Sequence, residues 1–229
     1  MELPVRIGVV DSGFAIEQSA RVVASAAFVA VEGGVRRVPA KTDMLGHGSQ
    51  VVEVLLHYLP PVELFVAQVF RERLTSTPAQ VAAAIDWLVD SGVQLINLSL
   101  GLREPRPVLA AACAHAQGAG VVLCAATPAR GGVVYPSGFP GVVRVTGDAR
   151  CDVMEIAALK AIHADFGANV RPIGGSLTGA GASMACAHLT GVAGRYLAAG
   201  GAVVSLVDSL MAQAHYTGME DPRSRRSDS

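Results

Sequence analysis

The sequence has no surplus of charge of either sign. Its 18 lysines and arginines almost match its 19 aspartates and glutamates, which leaves a formal net charge of -1. This balance offers no general attraction to nucleic acid or to an anionic membrane. Charged residues are also scarce, at 16% of the 229 residues, whereas hydrophobic residues make up 51%. Such a composition excludes intrinsic disorder and predicts one compact domain.

The sequence also lacks long hydrophobic segments. Its apolar runs are interrupted by glycine, proline or charge before they reach the roughly 20 residues that a membrane span needs. The first residues, MELPVRIGVVDSG, show no apolar core followed by a small-residue cleavage site, so they do not resemble a secretory signal. The prediction is therefore a cytoplasmic protein with no membrane and no nucleic acid among its partners.

Cysteines are few, and their spacing is not that of a metal site. The chain has four, which are Cys113, Cys124, Cys151 and Cys186, and no two of them form a CxxC pair. Acidic loop residues are sparse and form no calcium-binding run. We therefore expect free, buried thiols rather than disulfides, with no metal and no cofactor.

Short apolar runs alternate with helical segments of about a dozen residues along the chain. Strands are predicted over residues 5–10, 19–31, 62–70, 93–100, 121–126 and 141–146, and helices over 46–59, 78–90, 107–117 and 183–199. This alternation is typical of a doubly wound α/β domain, with a mainly parallel sheet flanked by helices. We predict that the domain spans residues 1–217 and that residues 218–229 form a polar, disordered tail.

Three polar residues stand where predicted strands end or predicted helices begin. Asp11 follows the first strand, His47 lies in a Gly-His-Gly-Ser segment, and Ser183 lies in Gly-Ala-Ser-Met-Ala. Each segment alone is explained by a turn, a loop or a capped helix. Together they supply an orienting carboxylate, a base and a nucleophile. Because ligands of α/β sheets bind at the carboxyl ends of the strands, one sheet edge could gather all three.

Four motifs, in the same order along the chain, carry a resemblance to a known family. The motifs are DSG at 11–13, GHGSQV at 46–51, INLSLG at 96–101 and GASMACAHLTGVAG at 181–194. They resemble the Asp, His, strand and Ser motifs of subtilisin-like serine proteases, and the similarity spans residues 5 to about 200. The resemblance implies the subtilisin-like fold and a catalytic triad of Asp11, His47 and Ser183. It also implies a substrate groove along Ser99, Leu100 and Gly101, where an extended peptide adds as a strand.

The sequence departs from the family at the oxyanion hole. Family members have an Ala-Ala-Gly-Asn segment whose asparagine donates to the oxyanion, whereas residues 125–128 here read Ala-Ala-Thr-Pro. Pro128 has no N–H group and no side-chain donor. The backbone N–H of Ser183 remains one donor, and Asn169 and Thr127 are candidates for the second. Losing one such donor lowers kcat by about 10²–10³-fold.

The family's secreted members carry a signal peptide and a long pro-domain before the Asp motif. Because Asp11 lies close to Met1, we expect neither segment in this sequence. An unrestrained protease in the cytoplasm would be harmful, so we expect a weak, selective enzyme. The chain is also similar to proteases that trim leaders from modified bacterial peptides, such as the maturation proteases of quinohemoprotein amine dehydrogenase. The partners implied are a specific protein or peptide substrate, a leader segment and its modifying enzyme.

Two kinds of function remain open from the sequence. The first is a serine endopeptidase that cleaves a leader or pro-sequence, which the three triad residues favour. The second is a pseudoprotease, a peptide-binding module that holds a substrate for other enzymes, which the missing oxyanion asparagine favours. Peptide ligation through the same acyl-enzyme is a third alternative.

Overall fold

One sheet runs through the part of the chain that the computed structural model describes, which is residues 4–59, 62–174 and 179–219. The strands are β1 Val5–Asp11, β2 Val22–Val31, β3 Gly34–Val38, β4 Val62–Gln68, β5 Leu95–Leu98, β6 Val122–Ala126, β7 Val143–Gly147, β8 Ile156–Ala158, β9 Phe166–Ala168 and β10 Tyr216–Thr217. The helices are α1 His47–Tyr58, α2 Pro78–Asp90, α3 Pro107–Gly118, α4 Ala182–Ala198 and α5 Leu206–Ala212.

The strand order is β10-β8-β9-β7-β6-β5-β1-β4-β2-β3. Neighbouring strands are parallel, except that β2 pairs antiparallel with β3 and β8 with β9. The prediction of a doubly wound domain with a mainly parallel sheet is therefore confirmed. Residues 220–229 of the predicted tail lie outside the described residues, so the domain boundary stays a prediction.

The central strands are apolar because both faces of the sheet are covered. Helices α1 and α4 pack on one face, where Leu55 and Leu189 join the buried core. Helices α2 and α3 pack on the other face, where Ile85, Leu88 and Leu109 are buried. The helices on both faces hold the carboxyl ends of the strands in fixed positions.

Several local predictions differ from the structure. The strand predicted from residue 19 begins at Val22, because residues Ile16–Arg21 form a 3-10 helix. The short strands β3, β8, β9 and β10 and helix α5 were not predicted. Pro60 and Pro61, which were expected to close α1, lie outside the described residues.

Two expectations about buried and apolar residues can be compared directly with the structure. The four cysteines are buried and free, as predicted. Across residues 4–59, 62–174 and 179–219, the helices are all too short or too polar to cross a membrane.

The sheet changes its direction of growth between β1 and β5. Strands β4 and β2 extend it on one side of β1, whereas β5, β6 and β7 extend it on the other. Because Val10 pairs with Leu98, the residues that follow these two strands lie side by side at the carboxyl edge. Ligand sites of open α/β sheets form at such a switch point. The topology therefore places Asp11 and Ser99 at the expected position for a site.

Candidate active site

Asp11 and His47 form a carboxylate–imidazole pair. Asp11 is the last residue of β1 and its side chain is fully buried, and His47 is the first residue of α1. The Nδ1 atom of His47 lies 2.7 Å from Oδ1 of Asp11. Since an ionised carboxylate can only accept, Nδ1–H is the donor and Nε2 is left to accept a proton. This is the orientation that a general base requires.

The turn after β1 is fastened to the first turn of α1. The backbone N–H of Ser12 donates to Asp11 Oδ1 over 2.7 Å, and the Ser12 hydroxyl accepts from the N–H of Gly48 over 2.8 Å. The second bond satisfies one of the N–H groups that a helix start leaves unpaired. The two bonds fix the carboxylate and the imidazole relative to each other.

Two carboxylates determine the protonation of His47. Burial of the ring lowers its pKa, but the hydrogen bond to Asp11 and the negative charges of Asp11 and Asp43 outweigh burial, so the pKa is raised. Asp43 itself is half-buried, which raises its pKa, yet hydrogen bonds chiefly from Ser49 lower it overall. The backbone N–H and the hydroxyl of Ser49 each donate to Asp43 over 2.8 Å. The charge of Asp43 is thus fixed beside the helix start that carries His47.

Ser183 lies in the first turn of α4 and is held by Ser99. Its hydroxyl donates to the carbonyl oxygen of Ser99 over 3.1 Å, and the Ser99 hydroxyl donates to the carbonyl oxygen of Ser183 over 2.8 Å. The Ser99 hydroxyl accepts in turn from Asn97 over 2.9 Å, and Asn97 accepts from Thr190 over 3.1 Å. This network joins the end of β5 to the start of α4.

His47 and Ser183 line the same cleft, of about 390 Å³. Ser99, Leu100 and Gly101, the residues of the predicted groove, also line this cleft. Apolar and hydroxyl side chains from the loop after β4 complete its wall. Its other lining residues are Phe70, Leu74, Thr75, Ser76, Ser99, Leu100, Gly101, Leu102 and Arg103. In this conformation the Ser183 hydroxyl points to Ser99 rather than to the base. The hydrogen bond between a nucleophile and its base often forms fully only when substrate is bound.

The two candidates for the second oxyanion donor are not among the described residues that line this cleft. The backbone N–H of Thr127 donates to Val145 over 2.8 Å, and Thr127 lines a larger cavity of about 960 Å³. That cavity shares no lining residue with the cleft. The side-chain oxygen of Asn169 accepts from the N–H of Arg171 over 2.8 Å, within its own loop. Neither Thr127 nor Asn169 belongs to the described lining of the cleft.

Gln68 supports the site and was not predicted from the sequence. It ends β4 directly beside Asp11, and its side chain is 2% exposed. Its amide nitrogen donates to the carbonyl oxygens of Ser12 and Lys41, over 2.7 Å and 3.0 Å. Gln68 therefore links the turn after Asp11 to the segment around Lys41. The available signal was a polar residue directly after the apolar run of residues 64–67.

The chain is similar in sequence to curated proteases, although no protein-family model matches it. It is 26% identical over 211 residues to a thermostable alkaline protease of Halalkalibacterium halodurans, a match that covers 82% of this chain and 55% of that protein. It is 27% identical over 157 residues to subtilisin DY of Bacillus licheniformis, a match that covers 62% of this chain and 55% of that protein. The chain thus spans little more than half the length of these relatives.

Solved structures share the fold. A cold-adapted subtilisin-like serine proteinase superposes with a TM-score of 0.72 at 20% identity, over 96% of this chain and 85% of that chain. The chain therefore has the subtilisin-like fold. A lanthipeptide protease also shares the subtilisin-like fold, with a TM-score of 0.54 at 22% identity, over 63% of this chain and 48% of that chain. The predicted resemblance in sequence and fold is therefore confirmed.

Proposed function

We propose that the chain is a serine endopeptidase that cleaves a dedicated protein or peptide substrate. The observation that carries the proposal is the 2.7 Å contact between Asp11 and His47, beside a cleft that His47 shares with Ser183. A hydroxyl nucleophile is activated by an imidazole that is itself hydrogen-bonded to a buried carboxylate. Asp11, His47 and Ser183 supply these three groups. The curated relatives, which are named as proteases, support the same activity.

In this mechanism, His47 Nε2 takes the proton of Ser183 as the serine oxygen attacks the scissile carbonyl carbon. Asp11 stabilises the imidazolium that forms, and the N–H of Ser183 at the helix start donates to the oxyanion. His47 then gives its proton to the leaving amine, and the C–N bond breaks. A water molecule, deprotonated by His47, attacks the acyl ester and releases the acid and free Ser183.

We further propose that the reaction removes a leader or pro-sequence. One structural neighbour is named a lanthipeptide protease, which supports a peptide substrate. The narrower resemblance to the maturation proteases of quinohemoprotein amine dehydrogenase stays a prediction. The leader segment and modifying enzyme as partners, and the cytoplasmic location, also stay predictions.

Labelling with a fluorophosphonate probe tests the proposed activity. The probe should modify Ser183, and the His47→Ala variant should lose the label, because the serine is nucleophilic only when a base takes its proton. Mass spectrometry of the digested protein locates the modified residue. Ser76→Ala, which removes another hydroxyl that lines the cleft, controls for labelling of a different serine and should keep the label on Ser183. A label on a different residue, or one that persists in His47→Ala, would contradict the mechanism.

The alternative is a pseudoprotease that binds peptides without cleaving them. It is favoured by the Ser183 hydroxyl, which donates to Ser99, and by Pro128, which lacks a donor where the family has asparagine. A binding module would show no label on Ser183, with or without candidate peptides, yet would still retain peptides in its cleft. Peptide capture without labelling would therefore support this alternative.

The pH dependence of labelling should report His47. Since only the neutral imidazole can accept the proton, the rate should fall as pH drops through a midpoint above the ordinary histidine pKa of about 6.5. The raised pKa arises partly from the charge of Asp43, so Asp43→Asn should lower the midpoint. Asp208→Asn, an exposed change on α5, is the control and should not move it. A midpoint at or below that of free histidine would show that the carboxylates do not act on the base.

A further inference from the structure

Two loops beside the cleft are rich in arginine. One follows β4 and supplies Leu74, Thr75 and Ser76 to the cleft, and the other follows β5 and supplies residues 99–103. Although the whole chain carries a net charge of -1, these loops hold more positive than negative residues. Their charged residues are Arg71, Glu72, Arg73, Arg103, Glu104 and Arg106. The two loops thus place a net positive charge on their side of the cleft.

Arg103 is distinguished from the other arginines by its position. Among the described residues that line the cleft, it is the one side chain with a permanent charge. It forms no ion pair with any described residue, whereas Arg106 in the same loop is paired with Glu104. Its backbone position is fixed, because neighbouring Leu102 exchanges two hydrogen bonds with Tyr135, over 2.7 Å and 2.8 Å. Arg103 is therefore an exposed cation at the cleft that has no ion pair within the described part of the chain.

The rest of the cleft wall suits an extended peptide with apolar side chains. Phe70, Leu74, Leu100 and Leu102 supply the apolar surface, and Leu74 is 56% exposed. A peptide strand laid along this wall would cover these side chains and would bring one of its own side chains to Arg103. A carboxylate is the group that matches a guanidinium, because it can accept two parallel hydrogen bonds from the planar fork.

We propose that the cleft selects a peptide that carries an aspartate or glutamate within a few residues of the cleaved bond, between apolar residues, and that Arg103 binds this acidic side chain. Arg71 and Arg73 would attract the same segment at longer range, an effect that salt screens. The inference rests on the proposed function, since it names the substrate class of the same site. It assigns a specificity-determining role to Arg103.

The test is a cleavage profile on a peptide library derived from a digested proteome, with cut sites identified by mass spectrometry. For the unmodified protein we expect Asp and Glu to be enriched by up to about fivefold at one position near the cut, the scale of one exposed ion pair. Arg103→Ala should remove the enrichment, and Arg103→Glu should replace it by enrichment of Lys and Arg. Arg36→Glu, an exposed change on strand β3, alters the net charge by the same amount and should leave the profile unchanged.

The outcomes separate this inference from the proposed activity. If Ser183 is labelled but the profile shows no acidic preference, or keeps it in Arg103→Glu, the inference is overturned and the endopeptidase proposal stands. If neither labelling nor cleavage occurs, the endopeptidase proposal fails. Binding of matched peptides that differ only by Glu or Gln, read by fluorescence anisotropy, then decides the role of Arg103. Equal binding of the pair would overturn it, and a preference for Glu that Arg103→Glu reverses would support it.

Discussion

Replacing Ser183 by alanine should lower peptide cleavage by about 10⁶-fold, the effect expected when a nucleophile that works as one unit with its base is removed. Peptide binding should remain, because the substitution leaves the cleft wall intact. The fold should remain too, since the lost bond from the hydroxyl to Ser99 is one hydrogen bond, worth about 0.5–1.5 kcal/mol. The measurement pairs the cleavage rate of a substrate peptide with its binding affinity.

A matched control for this variant is Ser91→Ala. The Ser91 hydroxyl also donates to a backbone carbonyl, that of Trp87, over 2.8 Å. It lies at the end of α2 and takes no part in the cleft, so its loss should cost similar stability and no activity. Cleavage by Ser183→Ala at the parent rate would refute the assignment of the nucleophile. Loss of binding together with cleavage would show that the hydroxyl contributes to the shape of the cleft rather than to chemistry.

The main elements of the fold were predictable because they obey strong local rules. Strand β1 has an apolar run over residues 7–10 and ends in a turn, and α2 begins at Pro78 after a threonine cap and has an apolar face. Strands β8 and β9 have three residues each, which is too short for any periodicity to appear. Their position depends on pairing with β7 and with each other, and tertiary contacts of this kind leave no pattern in the sequence.

The site residues were predicted as residue types, but the contacts that hold them were not. Motif order and resemblance assigned Asp11, His47 and Ser183, which remain proposals for catalysis. Nothing in the sequence indicated that Ser99 would bind both the hydroxyl and the carbonyl group of Ser183. Nor did the sequence indicate that Gln68 supports the turn after Asp11. Gln68 and Ser12, which this hydrogen bond joins, lie 56 residues apart along the chain. Long-range hydrogen bonds of buried polar groups become visible only once the strands are placed.

Gly48→Ala should disrupt the site without touching any of the proposed triad residues. A Cβ atom at this position would lie 2.8 Å from the backbone nitrogen of Gly13 and closer still to its carbonyl oxygen, so α1 must move away from the turn. The bond from Gly48 N–H to Ser12 would be lost, and His47 would shift relative to Asp11. A misplacement of about 1 Å can cost about 10²-fold in rate. The overpacking itself should destabilise the fold by about 1–3 kcal/mol.

Gly118→Ala is the control that separates backbone crowding from the loss of a glycine. Gly118 ends α3, and a Cβ atom there meets nothing within 4 Å. Because alanine favours the helix, this variant should be unchanged or more stable by up to about 1 kcal/mol. The labelling rate of Ser183, thermal unfolding and the downfield proton signal of the His47 Nδ1–H together give the comparison. If Gly48→Ala keeps that signal and the parent rate, the contact between β1 and α1 is not what positions the base, and the pair of Asp11 and His47 must be held by Gln68 and Asp43 instead.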